Sequence, residues 1–310
     1  MIRDIRSTDL IKLSFSGLRK LPNQAKPRNR IGKDTLSLLD LVPMRYWLSM
    51  NGRRQTWVQT QGLKVKGLVS ARSRSGPSVW EIDYLVFPPE HLVEEMDILH
   101  GLTLGAGRCG VDRVFLRLAA GSPLQDSIKN AGFCFYRKEY LYRLDKAPVN
   151  GALNSHTPDP PLYPRSPANE YGVFQLYNSA FPLHVREAEG QTLDEWREAQ
   201  EQSWGRRGRK EYVAMEDSSV VGWVRVAGRR KNGLLDIMAR PETPHESILN
   251  AGLALLKRYS TVWCLASEFQ TPLLGLLEDR GFRLVEEYDT AVRYVTAKVR
   301  RPSLVPIGVK

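Results

Sequence analysis

The chain has 310 residues, of which 42% are hydrophobic and 25% are charged. At about 150 residues per domain this length predicts two domains, and the apolar content allows each of them to bury a core. The formal net charge is +11, which favours nucleic acid, anionic lipid or phosphorylated small molecules without selecting among them.

Three widely spaced cysteines, Cys109, Cys134 and Cys264, form neither a zinc-ligand pattern nor a disulfide framework. We therefore expect reduced thiols, no bound metal and a cytoplasmic protein. The first residues lack the apolar run of a signal peptide. The longest apolar stretch, residues 248–256, is far shorter than the ~20 residues that span a bilayer, so we expect no membrane association.

Residues 20–33 are rich in basic side chains. Five basic residues and two prolines occur here without an acidic residue: Lys20, Pro22, Lys26, Pro27, Arg28, Arg30 and Lys33. This pattern predicts a loop rather than a helix face. A solvated, mobile loop is the simpler interpretation, and a flap that contacts an anion is the alternative.

Three strands are predicted next, near 56–59, near 65–71 and up to Pro88. Helical periodicity follows over 90–104. Residues 105–110 then match the dinucleotide fingerprint G-x-G-x-x-G, but a helix precedes them and a strand follows, which is the reverse of the required order. We therefore interpret these glycines as a helix end and a turn. A strand, a short helix and an aromatic-rich strand complete the first half.

Residues 145–170 contain six prolines and predict an extended surface linker. Helices near 172–179 and 193–202 open the second half, and Thr192 is placed to cap the latter. The residues after 298 are basic and interrupted by proline, which predicts a loosely ordered tail.

The second half repeats the order of predicted elements in the first. The offset between matched residues is constant within a block and changes only between blocks: Gly67 and Gly222 at 155 residues, Asp83 and Asp236 at 153, and Pro123 and Pro272 at 149. Such an ordered set predicts the duplication of one domain.

Each half runs strand, strand, strand ending in x-Pro, helix, strand, Pro-led helix, Gly-Phe and strand. This order resembles the GNAT N-acyltransferase superfamily, in two tandem copies over 1–144 and 171–298. Residues 145–170 would link the copies, and 299–310 would form the tail. The resemblance implies an α/β (α+β) fold with two GNAT-like domains, each a twisted, mostly antiparallel sheet flanked by helices.

The resemblance also implies where acyl-CoA binds. In this superfamily the fourth and fifth strands separate, the pantetheine arm pairs with the fourth strand, and the pyrophosphate meets the N-terminus of the next helix. The usual glycine-containing phosphate loop is missing after both Pro88 and Pro241. In the second half, Thr243 and Glu246 instead predict a capping box that satisfies the helix end with its own side chains.

Catalysis in the family often uses a tyrosine four residues before the Gly-Phe pair, but Ile128 and Leu277 occupy those positions. The resemblance then leaves direct attack of an amine on the thioester, with a carboxylate as base. Asp236 on the fourth strand and Glu268 after the fifth are the candidates. A hydrogen-bonded structural role is the alternative for each, and Asp83 is the counterpart of Asp236.

Further polar residues lie at matched places in the two halves. His91 and His245 follow the strand-ending proline, near the implied phosphate site, although either also suits a helix start. The basic turns at Arg72/Arg74 and at 229–231 are interpreted as solvated hairpin tips, with binding of a phosphate or acidic substrate as the alternative.

We therefore predict an N-acyltransferase that transfers an acyl group from acetyl-CoA or another acyl-CoA to a primary amine, with the C-terminal half as the active one. Met238 and Ala239 would pair with pantetheine, and the amides of His245, Glu246 and Ser247 would face the phosphates. Glu268 or Asp236 would be the base.

The alternative is a non-catalytic tandem GNAT scaffold that binds an acidic partner or RNA. The missing phosphate loops favour it, whereas no RNA-reading motif supports nucleic acid specifically. The sequence defines neither the acceptor amine nor the oligomeric state.

Overall fold

The computed structural model describes residues 2–6, 8–9, 12–13, 18, 21–31, 54–62, 64–88, 95–145, 161–201 and 209–295. Three predicted features lie outside these residues: most of the proline-rich linker, the basic tail, and the segment after Pro88 that contains His91.

The secondary structure follows the predicted alternation of strands and helices. The strands are β1 (Ile2–Asp4), β2 (Arg54–Gln61), β3 (Lys64–Ser73), β4 (Val79–Val86), β5 (Arg113–Ala119), β6 (Cys134–Asp145), β7 (Leu162–Pro164), β8 (Lys210–Glu216), β9 (Ser219–Arg229), β10 (Asn232–Ala239), β11 (Thr261–Ser267) and β12 (Arg283–Tyr294). The α-helices with described bounds are α1 (Glu95–Arg108), α2 (Gln125–Asn130), α3 (Glu170–Ala180), α4 (Leu183–Glu189), α5 (Leu193–Ala199), α6 (His245–Leu255) and α7 (Thr271–Asp279). The sequence did not predict α4. None of these helices combines the length and apolar content needed to cross a bilayer.

The strands form one 12-stranded sheet in the order β1-β2-β3-β4-β5-β12-β6-β11-β10-β9-β8-β7. Neighbouring strands are antiparallel except in the pairs β4–β5 and β10–β11, which are parallel. The predicted α/β (α+β) class is confirmed. The order is symmetric about its centre: β1–β6 of the first half correspond to β7–β12 of the second, and corresponding strands lie at equal distances from the two edges.

The two halves exchange their last strands. β12, from the second half, pairs with β5 of the first, and β6, from the first half, pairs with β11 of the second. β6 and β12 also pair with each other at the centre of the sheet. Each half therefore completes its sheet with a strand from the other, and the division at 1–144 and 171–298 stays a prediction.

Two large apolar cores lie under the helices on one side of the sheet. Trp80, Leu99 and Ile128 belong to the first, and Leu235 and Leu277 belong to the second. Burial of such a side chain contributes about 1.5–3 kcal/mol. Ile128 and Leu277, at the two positions where the resemblance implies a catalytic tyrosine, thus pack in these cores.

The glycine run at 105–110 ends a helix, as predicted. Gly105 and Gly107 lie within the last turn of α1, and β5 follows. Gly110 has φ +74°, a left-handed conformation that favours glycine. A Cβ on Gly105 would lie 2.3 Å from Cζ2 of Trp57, so close helix–sheet packing accounts for that glycine.

The two predicted helix caps differ in outcome. At α5 the capping box is present: the amide of Glu195 donates to Oγ1 of Thr192, and the Glu195 carboxylate accepts from the Thr192 amide. At α6 the prediction was wrong. Pro244 occupies the N-cap position without a side-chain bond, because the buried hydroxyl of Thr243 donates to the carbonyl of Val221 in the neighbouring strand.

Candidate functional site

The parallel strands β10 and β11 separate at one end. They are paired from Asn232/Thr261 to Leu235/Cys264, and the remainder of β10, Asp236–Ala239, runs without β11 beside it. Gln270 bridges this gap: its Nε2 donates to the carbonyl of Ile237 at 3.0 Å, and its Oε1 accepts from the amide of Ser267 at 2.9 Å. Apart from this side-chain bridge, the two strands are therefore unpaired beyond Leu235 and Cys264.

The corresponding gap in the first half is filled by the chain itself. β4 and β5 are paired only from Val79/Arg113 to Glu81/Phe115. Beyond this point the amide of Gln24 donates to the carbonyl of Leu85, and the amide of Lys26 donates to the carbonyl of Arg117, both at 2.9 Å. We call residues 23–27, which lie between the two strands, the plug.

Asn23 anchors the plug through its side chain. Its Nδ2 donates to the carbonyl of Asp83 at 2.9 Å, and its Oδ1 accepts from the amide of Leu85 at 2.8 Å. The same oxygen accepts from the amide of Ala25. Backbone groups of β4 that face the gap thus find partners within the chain, as buried peptide groups require.

The interpretation of residues 20–33 as a solvated loop was wrong for the described part. Ala25, Pro27 and Arg28 are buried, because the separated strands require hydrogen-bond partners that outweigh the cost of placing a basic segment there. The interpretation of Arg72 and Arg74 as solvated was also wrong. Arg74 is buried and Arg72 is half-buried, and both form ion pairs, whereas residues 229–231 are exposed as predicted.

A cavity of ≈ 100 Å³ lies against the open gap, on the face of the sheet covered by α3–α5. Asp236, Met238 and Ser267 reach it from the strands. Tyr177 and Trp196 reach it from the helices. The cavity therefore joins the end of the gap to a surface that carries both aromatic and charged groups.

A connected network of ion pairs lies beneath and beside this cavity. Its side chains are at most 14% exposed in the described structure, and they comprise seven guanidiniums and six carboxylates: Arg28, Arg54, Arg72, Arg74, Arg117, Arg137, Arg225, Glu81, Asp83, Glu139, Glu189, Glu201 and Asp236. We call this set the arginine–carboxylate network.

Asp236 occupies one end of the network. Its Oδ2 accepts from Nε of Arg225 at 2.6 Å, and its Oδ1 pairs with Arg28 of the segment that follows the plug. Burial, reinforced by the charge of Arg28, lowers the pKa of Arg225 well below its usual value. Two buried cations thus share this one carboxylate.

Glu201 occupies the middle of the network. Arg74 and Arg117 contact it at 3.1 and 2.7 Å, and Arg28 approaches at 3.4 Å. Burial alone would raise the pKa of Glu201, but these charges hold it well below its usual value. Glu201 is therefore ionised and acts as a structural counterion.

The predicted site residues do not all meet. Asp236 and Met238 line the cavity, whereas Ala239 packs in the core on the opposite face. Glu268 is exposed after the end of β11, and its Oε1 accepts from the amide of Lys138 at 3.3 Å. Glu268 does not line the cavity. Side chains alternate along a strand, so the side chain of Ser267 faces the cavity instead.

The predicted phosphate-binding residues begin α6, an 11-residue helix. Nδ1 of His245 lies 2.8 Å from the carbonyl of Thr243. Glu246 forms an ion pair with Arg280, which brings a basic side chain to this helix end. Ser247 follows in the first turn.

Sequence reasoning missed Arg28, Arg137, Tyr177, Glu189 and Glu201 as cavity residues. They come from separate elements, so spacing along the chain does not relate them. One indication was present, because Arg225 stands between valines in an apolar strand. A charge at such a position indicates a buried partner. Among the described residues, no group of three His, Cys, Asp or Glu side chains is placed to hold a metal ion.

The structure is similar to solved acetyltransferase structures. A GCN5-related N-acetyltransferase from Sphaerobacter thermophilus aligns with TM-score 0.57 and 12% identity over 96% of each chain. A tandem GNAT protein from the clavulanic acid biosynthesis pathway aligns with TM-score 0.50 and 14% identity over 96% of this chain and 99% of the other. No protein-family model matches the sequence, and comparison with curated proteins finds no relative. The chain therefore has the fold of the GCN5-related N-acetyltransferases.

Proposed function

We propose that the protein is an acyl-CoA-dependent N-acyltransferase with one acyl-CoA site, in its C-terminal half. The observation that carries this proposal is the contrast between the two gaps. The β10–β11 gap is open beside a cavity, whereas the plug supplies the hydrogen bonds in the β4–β5 gap. The names of the structural neighbours support the same reaction class.

In this proposal the backbone at Met238 and Ala239 pairs with the amides of pantetheine, taking over the position that Gln270 now bridges. The first amides of α6, at His245, Glu246 and Ser247, face the phosphates, where the helix dipole favours an anion. Arg280 offsets the carboxylate of Glu246, which otherwise competes with the phosphates.

The reaction forms a bond between the acceptor nitrogen and the thioester carbon and breaks the carbon–sulfur bond. The thiolate of CoA leaves, and the amine loses a proton to a carboxylate, directly or through water. Asp236 faces the cavity but is held by two guanidiniums. Glu268 is exposed just after the end of β11, so both carboxylates are candidate bases.

Calorimetric titration of the full chain with acetyl-CoA tests the proposal. We expect one molecule bound per chain and an increase in the thermal unfolding temperature. Absence of both heat and thermal shift at millimolar acetyl-CoA would contradict the proposed function. A stoichiometry of two would contradict the assignment of the site to one half.

The alternative is a non-catalytic scaffold for an acidic partner or RNA, to which the net charge of +11 contributes. Salt-sensitive retention of RNA, together with no response to acetyl-CoA, would favour this alternative. A cytoplasmic location stays a prediction.

A further inference from the structure

At the cavity, the hydroxyl of Tyr177 and the Nε groups of Arg28 and Arg137 are buried donors without a hydrogen-bond partner in the described part of the chain. Oδ1 of Asp236, a buried acceptor there, lies in the ion pair with Arg28. Tyr177, Arg28 and Arg137 are 2%, 9% and 8% exposed, so solvent does not readily serve them. A buried donor left without an acceptor is costly, and one such group calls for an explanation; here three surround one cavity.

The cavity also brings two buried cations close together. Arg28 and Arg225 share the carboxylate of Asp236. Their other carboxylates are less close: Glu201 lies 3.4 Å from Arg28, and Glu211 acts on Arg225 only through its charge. Two buried cations that share one close carboxylate are costly, so the cavity is suited to an added anion.

The size and walls of the cavity limit what the anion belongs to. A cavity of ≈ 100 Å³ accommodates one end of a small molecule rather than a whole nucleotide. Trp196, Trp223 and Met238 supply apolar walls beside the charged groups. The cavity adjoins Ile237 and Ser267 at the gap, where the proposed thioester would lie. An acceptor that reaches the thioester from the side covered by α3–α5 would therefore occupy this cavity.

We propose that this cavity binds the carboxylate end of the acceptor, so that the acceptors are amino acids or similar carboxylate-bearing amines. Tyr177 and Arg137 donate hydrogen bonds to the carboxylate, and Arg28 and Arg225 supply the opposing charge. The inference rests on the proposed function, because it names the acceptor of that same site. Hydrogen bonds from a phenol and guanidinium groups to a carboxylate are charge-assisted and are among the stronger ones in proteins.

The test compares amines that differ only in the carboxylate: phenylalanine with phenethylamine, tyrosine with tyramine, and leucine with isoamylamine. Acetyl-CoA is the donor, and release of the CoA thiol is measured. We expect kcat/KM to be at least about tenfold higher for the amino acid of a pair, as loss of a charged hydrogen-bond partner implies. Equal or reversed values overturn the inference, as does the absence of both turnover and thermal stabilisation with every amino acid. Turnover confined to succinyl-CoA as donor also overturns it, by assigning the carboxylate to the acyl group.

The variant Tyr177→Phe separates binding from folding. We expect KM for the amino acids to rise about tenfold with little change in kcat, while the unfolding temperature is unchanged or higher because an unpaired hydroxyl is removed. Tyr142→Phe is the matched control. Its hydroxyl donates to Oε1 of Glu278 at a distance of 2.9 Å, and neither residue lines the cavity. We therefore expect Tyr142→Phe to lower stability and to leave KM unchanged. An unchanged KM in Tyr177→Phe contradicts the assignment of the carboxylate to this cavity.

Failure of this inference and failure of the proposed function give different results. If acetyl-CoA binds but the members of each amine pair react equally, only the acceptor assignment fails. If acetyl-CoA does not bind, yet amino acids raise the unfolding temperature of the wild type and not of Tyr177→Phe, the carboxylate site stands and the transfer function fails.

Discussion

Arg28 of the N-terminal segment forms an ion pair with Asp236 on the fourth strand of the C-terminal half. The residues just before Arg28 form the plug, which bonds to Leu85 in β4 and to Arg117 in β5. One short segment thus closes the gap of the first half and supplies a charge to the cavity of the second. The plug and the cavity are therefore mechanically linked, in addition to the link made by the exchanged strands.

Because Arg28 and Arg225 share Asp236, removal of the carboxylate and removal of one cation should have unequal costs. Asp236→Asn leaves Arg28 and Arg225 without their shared carboxylate, and we expect a loss of about 3–5 kcal/mol in the free energy of unfolding. Arg28→Gln removes one of the two cations that share Asp236, while Asp236 keeps Arg225 and Glu201 keeps its other partners, so its cost should be smaller. Urea denaturation at neutral pH measures both. An equal or greater loss for Arg28→Gln would contradict the unequal sharing of charge at Asp236.

The plug should contribute to stability through the side chain of Asn23. Asn23→Ala leaves the carbonyl of Asp83 and the amide of Leu85 without their partners, at about 1–3 kcal/mol for each group. Gln24→Ala is the control, because the backbone amide that bonds to Leu85 remains. Chemical denaturation should show a clear loss for the first variant and a minor one for the second. Similar stabilities for the two variants would contradict the anchoring role of Asn23.

The sequence predicted the order of elements because local patterns carry it. Prolines at the ends of β4 and β10, alternation in the strands and the Gly-Phe pairs are each defined within a few residues. The long-range pairing was different. The final strands β6 and β12 contain the same kind of residues, so no local pattern reveals that each pairs in the half to which it does not belong.

The cavity was harder to predict than the fold, because it too depends on contacts between residues that are far apart in the sequence. Its polar groups lie on elements that are distant in sequence, and the basic character of residues 20–33 suggested solvent rather than burial. Arg28 is buried because Glu201 and Asp236 receive its charge, and those partners are not apparent from its neighbours. The missing phosphate loop was readable in the sequence, whereas the filling of the β4–β5 gap was not.

Glu211 should make stability sensitive to acid. Burial alone would raise its pKa, but the hydrogen bond from Arg165 and the nearby charge of Arg209 outweigh this effect and lower the pKa to about 2. Its ordinary value is 4.5. Its contribution is therefore fully present above about pH 4.5 and is lost as the pH falls toward 2.

We expect Glu211→Gln to be less stable than the wild type at pH 7 and to lose less stability between pH 4.5 and 2. Urea midpoints at several pH values measure the difference. Glu216→Gln, at an exposed position in the same strand, should follow the wild-type curve. Parallel curves for Glu211→Gln and the wild type would rule out a lowered pKa for this carboxyl.

The carboxylate of Glu246 should weaken acyl-CoA binding. It lies in the first turn of α6, where the proposed phosphates would meet the helix dipole. Glu246→Gln removes this charge and releases Arg280, so we expect acetyl-CoA to bind about two- to fivefold more tightly, with a smaller gain at high salt. Calorimetry measures the affinity, and Glu287→Gln, at an exposed position on β12, provides the control. Unchanged affinity would place the phosphates elsewhere.

The kinetics of Glu268→Gln should show whether Glu268 or Asp236 is the base. Glu268 is exposed, so Glu268→Gln should leave stability within experimental scatter, whereas Asp236→Asn disturbs the buried network. If Glu268 accepts the proton, its loss should lower kcat by about 10²–10⁴ and remove the acidic limb of the pH–rate profile. Glu287→Gln, at an exposed position on β12, should retain the full rate. A normal profile for Glu268→Gln would exclude this residue and leave Asp236, the carboxylate that faces the cavity, as the candidate base.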